Sequence, residues 1–484
     1  MKRWRAGLAP VAAGVIAFLV YRATLAPGLT WAHAGTDGGD LVTAAAVWGV
    51  PHPPGYPIYT FLGHLFAFLP FGSIAFNLNL FSALYASLAS AVTAAAVLRG
   101  MSAMTLQARF AALVAGLTLA FGPMLWGQAT IAEVHAFNAL LVSVIVYITR
   151  PWNVPRVLDR TEIIALGLTW GLSLTHSPTN LALAPIVLPA LWRDRHTRRA
   201  GFGALGAGLC AYLLIPIRAA ASPPINWGDA RTLPDFLWLI SGGLYRGYAL
   251  SAPVDLVIQR LLGLPREWFE QLGWIGAVWL GFGFARARSF KAMAPAFLSA
   301  ALFAAFAVTY DTADSDLYLI PVWILSAGYL GAGLAGLLAR RLDRLRQVAL
   351  VALAACGVIA MMIGGWSGHD LSRDYQAEAW AGGTLAALPP GAILVTHADA
   401  HTFTLWYYRV AEARRRDVSI VDSRLLGYAW YVPMLRAQGS APNLPADRTE
   451  SNVSASIAAV NPTRPVCDLE VPPQDDALPV LRCD

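Results

Sequence analysis

The segment GTDGGDLVTAAAVWGVPHPPGYPIY, residues 35–59, brings together residue types that can carry chemistry. It holds two carboxylates, Asp37 and Asp40, and the imidazole of His52, among glycines and prolines in an otherwise apolar chain. Positioned carboxylates and imidazoles serve as general bases and acids, and carboxylate oxygens also bind hard divalent ions. The helices and loops around this segment must therefore hold these polar side chains in otherwise apolar surroundings.

The composition indicates an α-helical polytopic membrane protein. Of the 484 residues, 57% are hydrophobic and 13% are charged, whereas a soluble domain carries about 25% charged residues. A helix needs roughly 20 mostly apolar residues to cross a bilayer. On this criterion we predict eleven membrane-spanning helices, at residues 7–25, 76–98, 108–126, 130–149, 161–176, 178–192, 201–217, 271–285, 293–309, 318–338 and 347–364.

The distribution of Lys and Arg predicts the orientation of these helices, because basic loops are retained in the cytoplasm. Basic clusters at 1–5, 192–199 and 340–346 lie in alternate loops, whereas residues 26–75 contain no Lys or Arg. We therefore assign 26–75 as the first outer loop and read its apolar segment 56–72 as an interfacial or re-entrant helix. The net charge of +6 is attributed to clusters that face anionic lipid, with no nucleic-acid partner.

Further polar residues fall on the same predicted outer side, at loops and span ends. They are Glu133, His135, His176, Arg218, Asn226, Asp229, Asp311, Asp314 and Asp316, with Arg218 opening a long outer loop at 218–271. Ionisable groups near membrane depth are costly and commonly mark a functional site, so we expect them to converge on one outer cavity. Simpler roles stay open: helix capping for Asp37, Asp40 or His176, a membrane anchor for Arg218, and solvated turns for the other aspartates.

The chain resembles, over most of its length, the DUF2723 family, which includes the animal transmembrane protein 260-like O-mannosyltransferases. The family's usual opening motif is Asp-x-Gly-Glu, then His-Pro-Pro-Gly-x-Pro and Asn-Leu-x-Ser-Ala, and here it is matched by DGGD, HPPGYP and NLFSA. The segments WGQATIAEVHAFN, GLSLTHSPTN and IPIRAAASPPINWGD continue the resemblance. This chain has Asp40 where the family usually has Glu, and His135 where it often has Tyr.

The resemblance implies a GT-C-like fold and an inverting glycosyltransferase that uses a polyprenyl-phosphate sugar, with mannose as the sugar suggested by the resemblance alone. In GT-C enzymes the first outer loop supplies the catalytic acidic residue, which corresponds by position to Asp37. A hydroxyl is a poor nucleophile at neutral pH, and general-base assistance gives about 10²- to 10⁴-fold. Asp37 is therefore the candidate base, and Asp40 the candidate for orienting the acceptor.

The same implied chemistry gives roles to the other polar residues. Arg218, assisted by His52 or His176, is the candidate for binding the donor phosphate, since a guanidinium matches phosphate oxygens bidentately. The remaining candidates for substrate binding are Glu133, His135, Asn226, Asp229 and Asp316. No cofactor is certain, although Asp37, Asp40 and Glu133 could together hold Mg²⁺ or Mn²⁺.

The chain changes character after the last predicted span. We expect a membrane-embedded catalytic domain at 1–366 and a small extracytoplasmic α/β domain at 367–484, because 392–422 has the pattern strand, turn, helix, strand. Cys467 and Cys483 lie close together in this tail, where an exported location would favour a disulfide. Cys210 and Cys356 fall inside predicted spans.

Two other classes of protein compete with the enzyme. A transporter or flippase of a lipid-linked sugar would carry its polar residues within corresponding spans of two repeats, and a non-catalytic scaffold would not concentrate carboxylates in one loop. We favour the glycosyltransferase, located in a bacterial inner membrane with its site on the periplasmic face. Its expected partners are membrane lipid, a polyprenyl-phosphate-linked sugar donor and a protein Ser/Thr or glycan acceptor.

Overall fold

The computed structural model describes residues 8–101, 103–152, 157–286, 290–446, 453–470 and 480–483. The helices up to residue 369 are α1 Leu8–Thr24, α2 Gly38–Val47, α3 Pro57–Ala67, α4 Ile74–Arg99, α5 Leu106–Ala120, α6 Pro123–Ala129, α7 His135–Thr149, α8 Arg160–His176, α9 Ala184–Trp192, α10 Arg198–Leu209, α11 Leu214–Ala220, α12 Leu233–Ile240, α13 Val254–Arg286, α14 Phe290–Thr309, α15 Ile320–Leu338 and α16 Arg344–His369. The remaining helices are α17 Gln376–Ala387, α18 Asp399–Trp406, α19 Tyr431–Ala437 and α20 Val453–Val460.

Each predicted span coincides with helical structure, but the count of eleven crossings is not confirmed. Among the described residues, four helical segments are long and apolar enough to cross a membrane: Ile74–Arg99, Arg198–Ala220, Ser315–Leu338 and Arg344–His369. A fifth is obtained if α5 and α6, which meet at a bend of 68°, form one broken span. Several other predicted spans are shorter apolar helices, such as α1 and α7. The basic residues at 1–5 lie outside the described residues.

Local sequence explains where several of these helices begin. The Ser73 side chain accepts a hydrogen bond from the Phe76 N–H, and the Thr105 side chain accepts one from Ala108. Asp159 and Glu162 form a reciprocal capping box at the start of α8. Such caps satisfy N–H groups that have no partner within the helix. The predicted outer-loop helix within 56–72 is present as α3, which begins at Pro57.

The C-terminal region contains a four-stranded sheet in the order β2-β1-β3-β4, formed by β1 Ile393–Thr396, β2 Ser419–Asp422, β3 Val466–Glu470 and β4 Val480–Cys483. Strand β1 pairs in parallel with β2 and β3, and β4 is antiparallel to β3. The strand–helix–strand order predicted for 392–422 is observed as β1, α18 and β2. The expected disulfide joins Cys467 to Cys483 across β3 and β4.

The hydrophobic core of this C-terminal region continues into the outer loops. One cluster of buried apolar side chains includes Leu41 of α2, Trp227 of the long loop, and Phe403 of α18. Helix α2 starts against α18 so closely that a Cβ on Gly39 would lie 2.3 Å from the carbonyl carbon of Phe403. Only glycine allows this backbone approach, so the first outer loop is fixed directly to the C-terminal region.

We predict that Gly39→Ala strongly destabilises the protein. Its methyl group would also lie 2.7 Å from the backbone nitrogen of Thr404, and two backbones must separate to admit it, at a cost of about 1–3 kcal/mol or more. Gly382→Ala is the matched control, because a Cβ there meets no atom within 4 Å and alanine favours a helix by roughly 1 kcal/mol. The measurement is apparent Tm in detergent at a fixed scan rate. Equal Tm values for both variants would contradict the close approach.

Candidate active site

A short turn places Asp37 at the start of α2. Residues Ala32–Asp37 form a 3₁₀-like turn in which His33 and Ala34 have φ values of 55° and 62°, a region that non-glycine residues rarely adopt. Asp37 occupies the N-cap position of α2, but its side chain makes no capping hydrogen bond. The Asp37 carboxylate therefore does not cap α2, although capping was one of the roles left open for it.

Asp40 lies in the first turn of α2 and is completely buried. Its Oδ1 accepts a hydrogen bond from Trp227 Nε1 at 2.9 Å, and its Oδ2 accepts one from the His52 backbone N–H at 2.9 Å. Oδ2 also lies 2.8 Å from His52 Nδ1. Both carboxylate oxygens are thus occupied, and Asp40 orients His52.

Backbone pairing brings Trp227 to Asp40 across a long stretch of sequence. The N–H of Val50 donates to the carbonyl of Ile225 at 2.9 Å, and the N–H of Trp227 donates to the carbonyl of Val50 at 3.1 Å. This bridge joins the first outer loop to the long one. It fixes the loop that carries His52 relative to α2.

His52 links the two predicted carboxylates. Its Nδ1 faces Asp40, and its Nε2 lies 3.5 Å from Asp37 Oδ2. Burial alone would lower the pKa of His52, but Asp37 and Asp40 outweigh that effect and raise the pKa to about 9. Burial raises the pKa of Asp37 to about 6 although the positive charge of His52 opposes it. At neutral pH the arrangement is an ionised Asp37 beside an imidazolium.

A cavity of about 100 Å³ opens beside Asp37, large enough for several water molecules. Six residues predicted from the sequence line it, namely Asp37, His52, Glu133, His135, His176 and Asp314. Asn138, Tyr56 and Tyr318 line it as well. The sequence signal for Tyr56 and Asn138 was their place in the segments HPPGYP and HAFN.

Two buried polar atoms of this cavity have no hydrogen-bond partner. Glu133 is 5% exposed, and its Oε1 is unpaired while Oε2 accepts from the Val134 N–H at 3.2 Å. His176 is fully buried, with Nε2 2.9 Å from the Val134 carbonyl and Nδ1 unpaired. Because buried polar atoms are nearly always satisfied, these two are positioned to contact a ligand.

Other predicted site residues do not line this cavity. Arg218 donates from Nε to the Trp48 carbonyl at 2.7 Å and stacks 4.4 Å from the centre of the Trp48 ring. Asn226 donates from Nδ2 to Asp229 Oδ1 at 2.9 Å, within the long loop. Asp316 lines a second cavity next to the first. The phosphate-binding role of Arg218 and the substrate roles of Asn226 and Asp229 stay predictions.

The residues considered for a divalent ion do not form a suitable ligand set. Both oxygens of Asp40 are engaged by Trp227 and His52. Across the described ranges, no group of three or more His, Cys, Asp or Glu residues is arranged to hold a metal ion. We therefore propose no metal-dependent step at Asp37, Asp40 and Glu133.

Comparison with solved structures defines the class of fold. ArnT from Cupriavidus metallidurans, crystallised bound to undecaprenyl phosphate, superposes with a TM-score of 0.56 and 16% identity over 87% of this chain and 91% of ArnT. The apo oligosaccharyltransferase of Archaeoglobus fulgidus superposes with a TM-score of 0.50 and 13% identity over 84% of this chain and 64% of that enzyme. The chain therefore has the GT-C fold of polytopic glycosyltransferases.

Sequence comparison then identifies the relatives. Residues 37–199 match the model of the Protein O-mannosyl-transferase TMEM260 N-terminal domain, and residues 377–462 match TMEM260-associated domain 2. The chain is a homologue of the TMEM260 proteins, which confirms the resemblance drawn from its motifs.

Two relatives carry the name Protein O-mannosyl-transferase TMEM260. The mouse protein is 27% identical over 92% of this chain and 67% of its own length, and the Dictyostelium discoideum protein is 22% identical over 85% and 57%. The chain thus spans only part of the length of these relatives. Together with the fold, these relatives support a glycosyltransferase.

We predict that Asp40→Asn lowers stability through the His52 contacts. The amide offers one acceptor oxygen where the carboxylate oxygens meet three donors, so at least one charge-assisted hydrogen bond is lost, at about 1.5–3 kcal/mol. Apparent Tm in detergent should fall well below that of wild type. Asp229→Asn is the matched control, since the Asp229 side chain is 26% exposed. A drop as large in the control would show that the buried network is not the cause.

Proposed function

We propose that this protein is a membrane glycosyltransferase that transfers mannose from a polyprenyl-phosphate donor to an acceptor hydroxyl, with inversion, and that Asp37 is the general base. The observation that carries the proposal is the position of the Asp37 carboxylate. It lines the cavity, is free of any capping bond and lies beside the His52 imidazolium. A base must reach the proton that it removes, and the Asp37 carboxylate lies at the cavity in which an acceptor hydroxyl would bind.

The proposed reaction is a single displacement. The acceptor hydroxyl donates its proton to Asp37 as its oxygen bonds to the anomeric carbon of the sugar. The bond from that carbon to the phosphate oxygen breaks, and its electron pair leaves with the polyprenyl phosphate. Attack from the face opposite the leaving group inverts the anomeric configuration.

Each neighbour of Asp37 has a distinct task in this proposal. The positive charge of the His52 imidazolium favours the ionised form of Asp37 where water is excluded. Asp40 holds the imidazolium in place through the other ring nitrogen, Nδ1. Glu133 Oε1 and His176 Nδ1 are buried and unpaired, so they are available to orient hydroxyls of the sugar or acceptor. Exclusion of water when substrates fill the cavity would strengthen these electrostatic contacts.

The substrates and location belong to the same proposal. The polyprenyl-phosphate donor is supported by the undecaprenyl phosphate bound to ArnT, and a protein acceptor by the names of the TMEM260 relatives. We take a Ser or Thr hydroxyl as the acceptor, with a glycan as the second choice. We place the protein in a bacterial inner membrane, and the alternation of basic loops supports an orientation with the site and the region 367–484 on the periplasmic face.

We predict that Asp37→Asn reduces transfer by at least about 10²-fold, the usual value of general-base assistance. Asparagine keeps the shape but lacks the basic lone pair. Transfer is measured in membranes with a panel of radiolabelled polyprenyl-phosphate sugars, and the variant's apparent Tm should stay near that of wild type because Asp37 makes no capping bond.

The matched control is Asp311→Asn, which changes a nearby aspartate that does not line the cavity. It should retain near-normal turnover. If Asp37→Asn is as active as this control, the cavity is not a catalytic centre and a transporter becomes the better interpretation.

We predict a bell-shaped dependence of kcat/KM on pH. Activity should rise as pH passes about 6, where Asp37 loses its proton, and fall as pH passes about 9, where His52 loses its own. The two apparent pKa values belong to the coupled pair. In His52→Gln the alkaline limb should disappear. An alkaline limb that survives in this variant would assign that limb to another group.

A further inference from the structure

A second cavity of about 440 Å³ adjoins the first. The two share Ala34, Asp314 and Leu317 as a common wall. The second cavity is lined by four carboxylates, Glu267, Glu270, Asp314 and Asp316. The mechanism proposed above uses none of these side chains.

The nearby cations neutralise only part of this cavity. No Lys or Arg is among its described lining residues. Arg266 pairs with Glu270 at 2.6 Å, and its side chain is 84% exposed. Arg260 donates to the carbonyls of Tyr310 and Thr312, each at 2.7 Å, and its charge also acts on Asp316. Glu267, Asp314 and Asp316 form no ion pair among the described residues, so the lining keeps carboxylates without a paired cation.

The histidine beside the cavity mouth also stays neutral. Burial and the neighbouring His369 lower the pKa of His33 to about 4, against a smaller opposing effect of Asp374. The His369 ring nitrogens face the carbonyls of Gly365 at 2.7 Å and Pro123 at 3.1 Å. Neither ring is hydrogen-bonded to a carboxylate of the cavity in the part of the chain that the structure describes, and His33 Nε2 is buried and unpaired.

A buried acceptor in this cavity lacks a donor. Gln128 is 1% exposed, and its Nε2 donates to the His33 carbonyl at 2.8 Å, which fixes the amide orientation. That orientation leaves Oε1 unpaired. Glu267 Oε2 is likewise buried and unpaired, and burial together with Asp316 and Glu270 raises the pKa of Glu267 to about 7. Gln128 Oε1 and Glu267 Oε2 are buried acceptors without a donor, so a ligand that donates hydrogen bonds would complement them.

We propose that this second cavity binds a cationic nitrogen group, an ammonium or guanidinium, carried by the acceptor close to the hydroxyl that Asp37 deprotonates. The inference rests on the proposed function, because it assigns the two cavities to two parts of one acceptor. The shared wall places the cation site within a side chain's length of the first cavity. The same carboxylates disfavour binding of the anionic donor phosphate in this second cavity.

The test is a binding measurement on the full chain in nanodiscs of zwitterionic lipid. The probes are two fluorescent hexapeptides with one serine and, two positions away, either arginine or its neutral isostere citrulline. The arginine peptide should bind at least about tenfold more tightly, as expected for a partly desolvated ion pair. Free argininamide at the same concentration should compete weakly, since it lacks the serine that occupies the first cavity.

Single substitutions test which side chains produce the preference for the arginine peptide. Glu267→Gln and Asp316→Asn should each reduce the arginine preference by about threefold or more, while leaving affinity for the citrulline peptide unchanged. Asp255→Asn, an exposed acid on the same helix α13, is the matched control and should keep the full preference.

Three outcomes overturn the inference: equal binding of the two peptides to wild type, an equal loss in the Asp255 control, or argininamide binding as tightly as the arginine peptide. Because the experiment measures binding, its result can be interpreted even if the protein transfers no sugar. Absent transfer with an intact arginine preference would remove the transferase proposal alone. Active transfer without that preference would remove only the cation site.

Discussion

Three hydrogen-bond donors converge on Asp40, a carboxylate with no access to solvent. Burying this charge without hydrogen-bond partners would cost a large amount of free energy. The folded state therefore requires Trp227 and His52 to contact Asp40 together. Trp227 comes from the long outer loop and His52 from the first one. The contacts that satisfy this one buried charge therefore bring two loops that are distant in sequence together and place the ring of His52 beside Asp37.

The C-terminal region is part of this construction. Trp31 Nε1 donates to Thr404 Oγ1 at 3.0 Å, just ahead of the turn that carries Asp37. Phe403 packs edge-on to the Trp227 ring at 5.9 Å and borders Gly39 through its backbone. The turn that carries Asp37 and the Trp227 ring are thus both supported by α18, so this region helps to hold the site in place although none of its described residues lines the cavity.

Some of this could be predicted from the sequence. The alternation of basic loops placed Asp37, His52, Glu133, His135 and His176 on one side, and these residues do line one cavity. Their types and loop positions were informative because polar groups near a membrane require a reason to persist.

Other features depend on contacts that sequence patterns do not report. The role of Asp40 follows from an indole 187 positions away, and no periodicity connects the two residues. Arg218 had the right chemistry for phosphate, yet its guanidinium lies over Trp48. The span count assumed straight helices of full length, whereas α5 and α6 are separated by a 68° bend. The acidic cavity joins α13 to the segment around Gln128, which local sequence does not place together.

The two adjoining cavities differ in the charge that they can accept. In the first, an imidazolium with a raised pKa stands beside Asp37, so a carboxylate base and a positive charge are both within reach of the reacting atoms. In the second, three carboxylates without an ion-pair partner among the described residues and an unpaired amide oxygen line the space. A cationic group of the acceptor would therefore be held beyond the wall formed by Ala34, Asp314 and Leu317, apart from the hydroxyl in the first cavity. Such a separation would orient the acceptor before the proton is removed, and orientation of this kind lowers the barrier without any further catalytic group.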